Sequence, residues 1–341
     1  MIELTHKRIS LQLVHPFRLS RGVSTEKTNI VISLQWHGVM GIGEAAPHSY
    51  FGETPDSIES DLERVAKHLG DDPYLIEELT YRLRHEMNLS GAALAAIDMA
   101  LHDLVARSLK IPLYRLLGLS AGPAKPTSFT IAIADPEAMC RRIQEAPEFS
   151  VYKVKVGNGS DLETLVTLRK TTTQPFRVDA NAGWQVEEAI ELGKQLAPLG
   201  IEFLEQPIAP GNAEDMGRIR SGQPIPVFAD ESCCTAEDVL PLAKQVDGIN
   251  IKLMKCGGIR EALRLVATAR ACGLKVMLGC MIESSIGITA AAHLVSLVDY
   301  IDLDGNLLIK NDPFIGARCM NGQLAPPEEN GIGVRLRENN R

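Results

Sequence analysis

The amino-acid sequence predicts an α/β protein in which a (β/α) barrel follows a smaller α+β domain. Three observations support this prediction. Short β-like runs recur over residues 128–303, with 21 to 27 residues between successive starts, and such an interval holds one helix and two loops. Helical periodicity fills the intervals. Residues 1–117 instead carry strand-like runs followed by helical ones, which is typical of an α+β domain.

The first domain begins with three predicted strands. They are Ile9–Val14, Asn29–Trp36 and Gly41–Ala45. Two polar and aromatic segments, His15–Gly22 and Pro47–Thr54, are predicted to be loops, and loops of this composition often contact ligands. Helical periodicity runs from residue 56 to residue 117. A segment rich in Gly, Ala and Pro, residues 118–126, is the predicted linker, so we place the first domain at residues 1–119.

Eight β-like runs follow this linker. The predicted strands are Ser128–Ile133, Val151–Val156, Phe176–Asp179, Ile201–Glu205, Val227–Asp230, Gly248–Lys252, Lys275–Leu278 and Tyr300–Leu303, and the predicted helices are Asp161–Lys170, Val186–Leu196, Asn212–Arg220, Thr235–Ala243, Arg260–Ala271 and Ile288–Leu297. Alternating strands and helices form parallel sheets, and eight such units close into a barrel. A doubly wound open sheet is the alternative, but no G-x-G-x-x-G follows any of these strands. We place the barrel at residues 120–320 and expect residues 321–341 to return to the first domain.

Composition excludes several classes of function. The net charge of −8 and the lack of clustered Lys and Arg argue against a nucleic-acid partner. No apolar run is long enough for a membrane span, and the N-terminus lacks the pattern of a signal peptide, so we expect a cytoplasmic protein without a membrane partner. Seven cysteines without C-x-x-C pairs predict reduced thiols and no zinc site.

Charged side chains lie at the carboxyl ends of most predicted barrel strands, where barrel enzymes hold their active sites. They are Lys153, Lys155, Asp179, Glu205, Asp230, Lys252, Asp302 and Asp304. Asp179, Glu205 and Asp230 end three successive strands, so their carboxylates are expected side by side. Clustered carboxylates need a cation, and oxygen ligands without Cys or His suit Mg²⁺. Taken singly, each acid could instead cap a helix.

Two lysines, Lys155 and Lys252, lie on strands about half a barrel apart and so face the acidic cluster from opposite sides. Lys153 shares a strand face with Lys155, because alternate residues of a strand point the same way. A lysine has an ordinary pKa of about 10.4, and burial beside a second cation and a metal ion lowers such a value toward that of a useful base. The pattern predicts abstraction of a proton beside a carboxylate, with return on either face. The alternative is a K-x-K pair on an exposed strand.

Five motifs occur in order along the barrel. They are Lys153-Val154-Lys155, Asp179-Ala180-Asn181, Leu204-Glu205-Gln206-Pro207, Ala229-Asp230-Glu231-Ser232 and Asn250-Ile251-Lys252-Leu253. Together with Gly43-Glu44-Ala45-Ala46-Pro47 of the first domain, they resemble the enolase superfamily in its muconate-lactonizing subgroup. The resemblance covers nearly the whole chain. It implies a modified TIM barrel, (β/α)7β, with an N-terminal α+β capping domain.

The resemblance also implies roles for individual residues. Asp179, Glu205 and Asp230 would bind Mg²⁺, and Lys155 and Lys252 would form a two-face acid/base pair acting through a metal-stabilised enediolate. Lys153 would meet the substrate carboxylate.

Further residues resemble the dipeptide epimerases of this subgroup. Asp302-Leu303-Asp304-Gly305 is similar to their clamp for the substrate ammonium, and Met281–Gly287 also resembles that branch. Arg21 resembles the arginine that pairs with a glutamate side chain of the substrate, although Arg18 could compete for this role. Thr130, Cys280 and Met281 are further candidate substrate contacts.

We therefore expect a Mg²⁺-dependent dipeptide epimerase that inverts the α-carbon of the C-terminal residue, with L-Ala-D/L-Glu as the expected substrate. The alternatives are o-succinylbenzoate synthase, N-acylamino-acid racemase and muconate cycloisomerase, whose substrates carry no free ammonium. A non-catalytic barrel protein would need a broken set of residues. The expected partner is the small dipeptide, and the sequence leaves a homo-oligomer open.

Overall fold

The computed structural model describes residues 1–338. Its N-terminal part is an antiparallel sheet of three strands in the order β1, β2, β3, followed by helices. These elements are β1 (Glu3–Leu19), β2 (Gly22–Trp36), β3 (Val39–Ala45), α1 (Pro55–Val65), α2 (Ile76–His85), α3 (Gly91–Ser108) and α4 (Leu113–Leu116). Helix α3 packs closely on β3, because Gly41 and Gly43 leave room for its backbone: a Cβ at either position would collide with a carbonyl oxygen of α3.

The hairpin of β1 and β2 corrects one sequence prediction. The segment His15–Gly22 was expected to be a loop, yet β1 continues to Leu19 and β2 begins at Gly22, so that only two residues form the turn. Contacts with the barrel stabilise this end of the hairpin: Leu13 forms a bridge with Ile309, and the Ile133 amide donates to the Arg18 carbonyl at 3.0 Å. The hairpin therefore reaches from the first sheet to the barrel.

The second part is a parallel sheet of eight strands that pair in sequence order. Its strands are β5 (Phe129–Ile131), β6 (Tyr152–Lys155), β7 (Phe176–Asp179), β8 (Ile201–Glu205), β9 (Val227–Ala229), β10 (Gly248–Lys252), β11 (Lys275–Gly279) and β12 (Tyr300–Asp302), after a short β4 (Lys125–Pro126). A parallel bridge between Thr127 and Ile301 brings the two edges together. The predicted barrel is confirmed.

Helices connect the barrel strands. They are α5 (Pro136–Glu145), α6 (Asp161–Arg169), α7 (Val186–Leu196), α8 (Ala213–Gly222), α9 (Val239–Leu242), α10 (Leu253–Cys256), α11 (Ile259–Ala271) and α12 (Ser285–Ala292). Only a 3₁₀ turn follows β12, in agreement with the predicted (β/α)7β form.

Four of these helices differ from the prediction. Helix α5, with Asp135 as its N-cap, and the short α10 were missed. The predicted helix Thr235–Ala243 is a 3₁₀ turn followed by the short α9. Helix α12 begins three residues before Ile288, because Ser284 caps it and Glu44 of β3 accepts the Gly287 amide at 3.0 Å.

The residues that follow the barrel strands contact both parts of the chain. They form β13 (Phe314–Ile315) and β14 (Arg318–Met320), and then β15 (Gln323–Ala325) and β16 (Arg335–Leu336) of the C-terminal segment. Strand β15 pairs with β4 beside the barrel. The Leu113 amide donates to Gly331, and the Ile332 amide donates to Asp103 of α3 at 2.7 Å. Residues 339–341 of the predicted C-terminal segment lie outside the described residues.

None of the helices within residues 1–338 combines the length and the apolar character that crossing a membrane requires.

Candidate active site

A cavity of about 370 Å³ lies between the β1–β2 hairpin, the loop at residues 46–51 and the carboxyl ends of the barrel strands. All predicted site residues line it except two acids, Asp179 and Glu205, which are fully buried beneath it. The structure therefore brings together residues separated by more than 280 positions in the chain. Arg18 is exposed and does not line the cavity.

Three carboxylates form the floor of the site. Asp179, Glu205 and Asp230 end neighbouring strands or follow them directly, and one oxygen of each lies within 4.8 Å of the others. All three are at most 1% exposed. Glu205 Oε2 is buried and lies 2.8 Å from the Lys153 ammonium, without a well-directed hydrogen bond from residues 1–338. A buried anionic triad of this kind fits a hard divalent cation such as Mg²⁺.

Sharp turns after the strands fix these acids. Asn181 has a positive φ of 44°, and its amide donates to Asp179 Oδ1 at 2.8 Å. Gln206, with a φ of 35°, accepts hydrogen bonds from the Asp230 and Ser232 amides at 2.9 and 3.1 Å. The turn after β7 therefore fixes the Asp179 carboxylate, and the turn after β8 fixes the backbone of Asp230.

Lys153 is the central counter-charge of the site. Its ammonium is 1% exposed and lies 2.8 Å from Glu205, 2.8 Å from Asp302 and 3.1 Å from Asp179. Burial favours the neutral amine, but the carboxylates outweigh it and raise the pKa of Lys153. Lys153 thus joins the acidic triad to the aspartates at the end of β12.

The predicted pair of lysines faces the triad from two sides. Lys155 Nζ lies 2.6 Å from Asp179 Oδ2, and Lys252 Nζ lies 2.7 Å from Asp230 Oδ2. Burial lowers the pKa of Lys252, but the adjacent Asp230 carboxylate raises it by more, so the protein groups alone favour the ammonium form. The lowered pKa expected beside a bound metal ion stays a prediction.

The three acids of the triad differ in their preferred charge. Burial favours their neutral forms, yet Lys155 lowers the pKa of Asp179, and Lys252 lowers that of Asp230. For Glu205, burial and the charge of Asp179 dominate and raise the pKa to about 8. The triad therefore carries more negative charge than the protein alone stabilises easily.

The two aspartates after β12 also differ. Asp302 accepts hydrogen bonds from Ser128 Oγ and from Lys153, and its pKa is lowered, because Lys153 outweighs the effect of burial. Asp304 accepts the Thr130 amide at 2.6 Å, and burial together with the Asp302 charge raises its pKa to about 7. A cationic group entering here would stabilise both carboxylates.

Arg21 lies in the turn of the hairpin and lines the cavity, but its guanidinium is already engaged. It donates to Glu231 Oε1 at 2.7 Å and to the Asn181 carbonyl at 2.9 Å, and it stacks 4.2 Å from the centre of the Tyr50 ring. Arg21 therefore connects the hairpin to the turns after β7 and β9.

Sequence reasoning missed three cavity or site residues. Lys255 is buried on α10, three residues after Lys252, and donates to Asp230 Oδ1 at 2.8 Å; that i, i+3 spacing was the available signal. Lys27 and His48 line the cavity from the hairpin and from the loop at 46–51. The composition of that loop pointed to ligand contacts, but no motif identified either residue.

Fold and site together define a barrel enzyme with lysines on two sides of a buried acidic triad able to bind a metal ion. Residues 1–118 match the family of mandelate racemase and muconate lactonizing enzyme N-terminal domains, and residues 136–340 match the enolase C-terminal domain-like family. The chain belongs to this mandelate racemase and muconate lactonizing enzyme family, which confirms the resemblance found in the sequence.

Several relatives are similar over nearly the full chain. An L-Ala-D/L-amino acid epimerase from Maribacter sp. is 37% identical over 99% of this chain and 100% of its own length. An L-Ala-D/L-Glu epimerase from Bacteroides thetaiotaomicron is 38% identical over 98% of this chain and 88% of its own length. The crystal structure of a dipeptide epimerase from Cytophaga hutchinsonii, complexed with Mg and D-Ala-L-Val, has a TM-score of 0.95 and 30% identity, and the match covers 100% of this chain and 97% of that one. The expectation of an isomerase is confirmed.

Proposed function

We propose that this protein is a Mg²⁺-dependent dipeptide epimerase that inverts the α-carbon of the C-terminal residue, with L-Ala-D/L-Glu as its substrate. The observation that carries the proposal is the position of Lys155 and Lys252 on opposite sides of the acidic triad. Two amines that flank one carbon can remove its proton from one face and return a proton on the other. The names of similar proteins support the same reaction.

The acidic triad is the proposed cation site. Asp179, Glu205 and Asp230 would hold Mg²⁺ through carboxylate oxygens. When bound there, Mg²⁺ supplies positive charge that offsets both the clustered carboxylates and the negative charge developing on the substrate carboxylate during proton removal.

The lysines have complementary duties in each turnover. The one that abstracts the α-proton starts as a neutral amine, and the other starts as an ammonium and donates the proton on the opposite face. Because inversion is possible in both directions, Lys155 and Lys252 exchange these duties between the two epimers. Lys153, fixed by three carboxylates, keeps a positive charge beside the substrate carboxylate.

The free ammonium of a dipeptide fits the other end of the cavity. Asp302 and Asp304 lie there, and Asp304 lacks a cationic partner among residues 1–338. Substrates of o-succinylbenzoate synthase, N-acylamino-acid racemase or muconate cycloisomerase type carry no ammonium and would leave Asp304 without a cationic partner, whereas Asp302 is already paired with Lys153. Asp304 therefore favours the dipeptide over those alternatives.

A dipeptide library incubated in D₂O with Mg²⁺ tests the proposal. We expect mass spectrometry to detect incorporation of one deuterium at the α-carbon of the C-terminal residue, most rapidly in Ala-Glu. Lys155→Ala and Lys252→Ala should each abolish epimerisation. Exchange from one epimer can persist in either variant, because one lysine still reaches one face.

Two outcomes would contradict the proposal. Unchanged exchange in both lysine variants would remove the two-base mechanism. No deuterium incorporation into any dipeptide by the Mg²⁺-loaded protein would favour a non-catalytic barrel protein instead.

A further inference from the structure

Five cationic side chains line the cavity, and four of them already have an anionic partner. Arg21 lies 2.7 Å from Glu231, Lys153 lies 2.8 Å from Glu205, Lys155 lies 2.6 Å from Asp179, and Lys252 lies 2.7 Å from Asp230. The fifth is Lys27 on β2. Within residues 1–338, the Lys27 ammonium makes no ion pair and donates no hydrogen bond.

Lys27 is also partly removed from water. Its side chain is half-buried, and burial lowers its pKa. A buried ammonium without a counter-charge loses hydration and gains nothing in return. An anionic group that enters the cavity would restore this balance through a charge-assisted hydrogen bond.

The neighbouring side chain of His48 is uncharged. Burial, together with the charges of Lys27, Lys252 and Arg21, lowers its pKa to about 4. His48 Nδ1 accepts the Tyr50 amide at 3.2 Å, which leaves Nε2 as a hydrogen-bond donor. This wall of the cavity therefore offers positive charge and a neutral donor.

The position of Lys27 decides which part of a dipeptide it meets. In the proposed function, the ammonium of the substrate lies at Asp302 and Asp304, its α-carbon lies between Lys155 and Lys252, and its carboxylate lies beside Lys153. Lys27 belongs to the hairpin on the opposite wall from the barrel strand ends. The part of the dipeptide left to face this wall is the side chain of its C-terminal residue.

Arg21 is less suited to this role. Its two terminal nitrogens already donate to the Asn181 carbonyl and to Glu231. A substrate carboxylate that approached it would meet the negative charge of Glu231.

We infer that Lys27 is the residue that selects an acidic side chain at the C-terminal position of the substrate, and that Arg21 positions the hairpin over the barrel. The inference rests on the proposed dipeptide epimerase function. It assigns the preference for glutamate to an unpaired lysine of β2 in place of the arginine suggested by the family resemblance.

The test compares L-Ala-L-Glu with the neutral, isosteric L-Ala-L-Gln. We expect Lys27→Met to lower the kcat/KM ratio of the glutamate to the glutamine dipeptide by about 10- to 100-fold, the effect of losing one charge-assisted hydrogen bond. Lys27→Arg should retain most of the ratio, because it keeps the charge. Arg21→Met is the matched control and should lower kcat/KM for both dipeptides by similar factors.

The inference is overturned if Lys27→Met leaves the ratio unchanged, or if Arg21→Met lowers the ratio instead. Calorimetric binding of both dipeptides to the Mg²⁺-loaded protein provides a second readout, in which Lys27→Met should weaken L-Ala-L-Glu selectively. If the unmodified protein epimerises neither dipeptide, the proposed function fails. Equal binding of L-Ala-L-Glu to the unmodified protein and to Lys27→Met would then reject the inference independently.

Discussion

Lys153→Met removes the central counter-charge of the site, and its effect on stability can be worked out from the contacts. The Lys153 ammonium is 1% exposed and lies 2.8 Å from both Glu205 and Asp302. At an effective dielectric constant of about 20, each such contact is worth about 6 kcal/mol of attraction. The desolvation of the buried ammonium offsets several kcal/mol of this.

The net expectation is a loss of about 3–5 kcal/mol in the free energy of unfolding, as is usual when one partner of a buried ion pair is removed. Urea unfolding at neutral pH with excess EDTA measures it. Mg²⁺ should restore more stability to the variant than it adds to the unmodified protein, because a dication on Asp179 and Glu205 replaces the missing charge.

The control is Lys275→Met, in which the lost lysine is 59% exposed and lies 3.4 Å from Asp299. Its effect should stay within about 0.5 kcal/mol. If the free energy of unfolding of Lys153→Met in EDTA lies within about 1 kcal/mol of that of the unmodified protein, Lys153 is not the charge that holds the carboxylates together, and the reasoning is refuted.

Three further predictions concern other buried groups. Burial lowers the pKa of His293 to about 4, below its ordinary 6.5, so the unfolded chain takes up a proton on His293 at a higher pH than the folded chain does. The free energy of unfolding is therefore highest above pH 6.5 and falls by about 3 kcal/mol as the pH drops toward 4. In urea unfolding, His293→Gln should flatten this dependence on pH. Asp98→Ala should cost about 2–4 kcal/mol of unfolding free energy, because the Ile259 and Arg260 amides at the start of α11 lose their acceptor. Asp304→Asn should lower kcat/KM for a free dipeptide about 10- to 100-fold relative to its N-acetyl derivative, which lacks the ammonium.

Each of these predictions has a clear opposite result. An unaltered slope of stability against pH in His293→Gln would mean that other groups cause it. A loss below about 1 kcal/mol in Asp98→Ala would show that the cap between the two parts of the chain is unimportant. Equal effects of Asp304→Asn on free and N-acetylated dipeptides would remove the proposed ammonium clamp.

The barrel could be predicted because the sequence patterns of its strands and helices each lie within a short segment of the chain. Each strand is a short β-like run and each helix has its own apolar periodicity, so the repeat of 21 to 27 residues is visible without any tertiary contact. The triad followed from the same logic, since residues at equivalent strand ends must meet at one mouth. The missed α5 is local as well, because Asp135-Pro136 is a readable N-cap.

The hairpin could not be predicted in the same way. Residues 17–19 extend as a strand by pairing with residues 22–24 of β2, and the barrel adds contacts more than a hundred residues away, from Ile133 to Arg18 and from Ile309 to Leu13. The early start of α12 depends similarly on Glu44, which approaches from β3. Such contacts leave no periodic signal in the segment that they stabilise.

By itself, the sequence determined the barrel, the acidic triad and the lysines on either side of it, because strand order and strand ends fix those positions. Only the tertiary structure decided which cavity cations are paired and which is free. Arg21 meets Glu231 across 210 positions of sequence, whereas Lys27 meets no acid within residues 1–338. Whether two charged side chains form an ion pair depends on the distance between elements that lie far apart in the sequence. That distance is set only when the hairpin packs on the barrel.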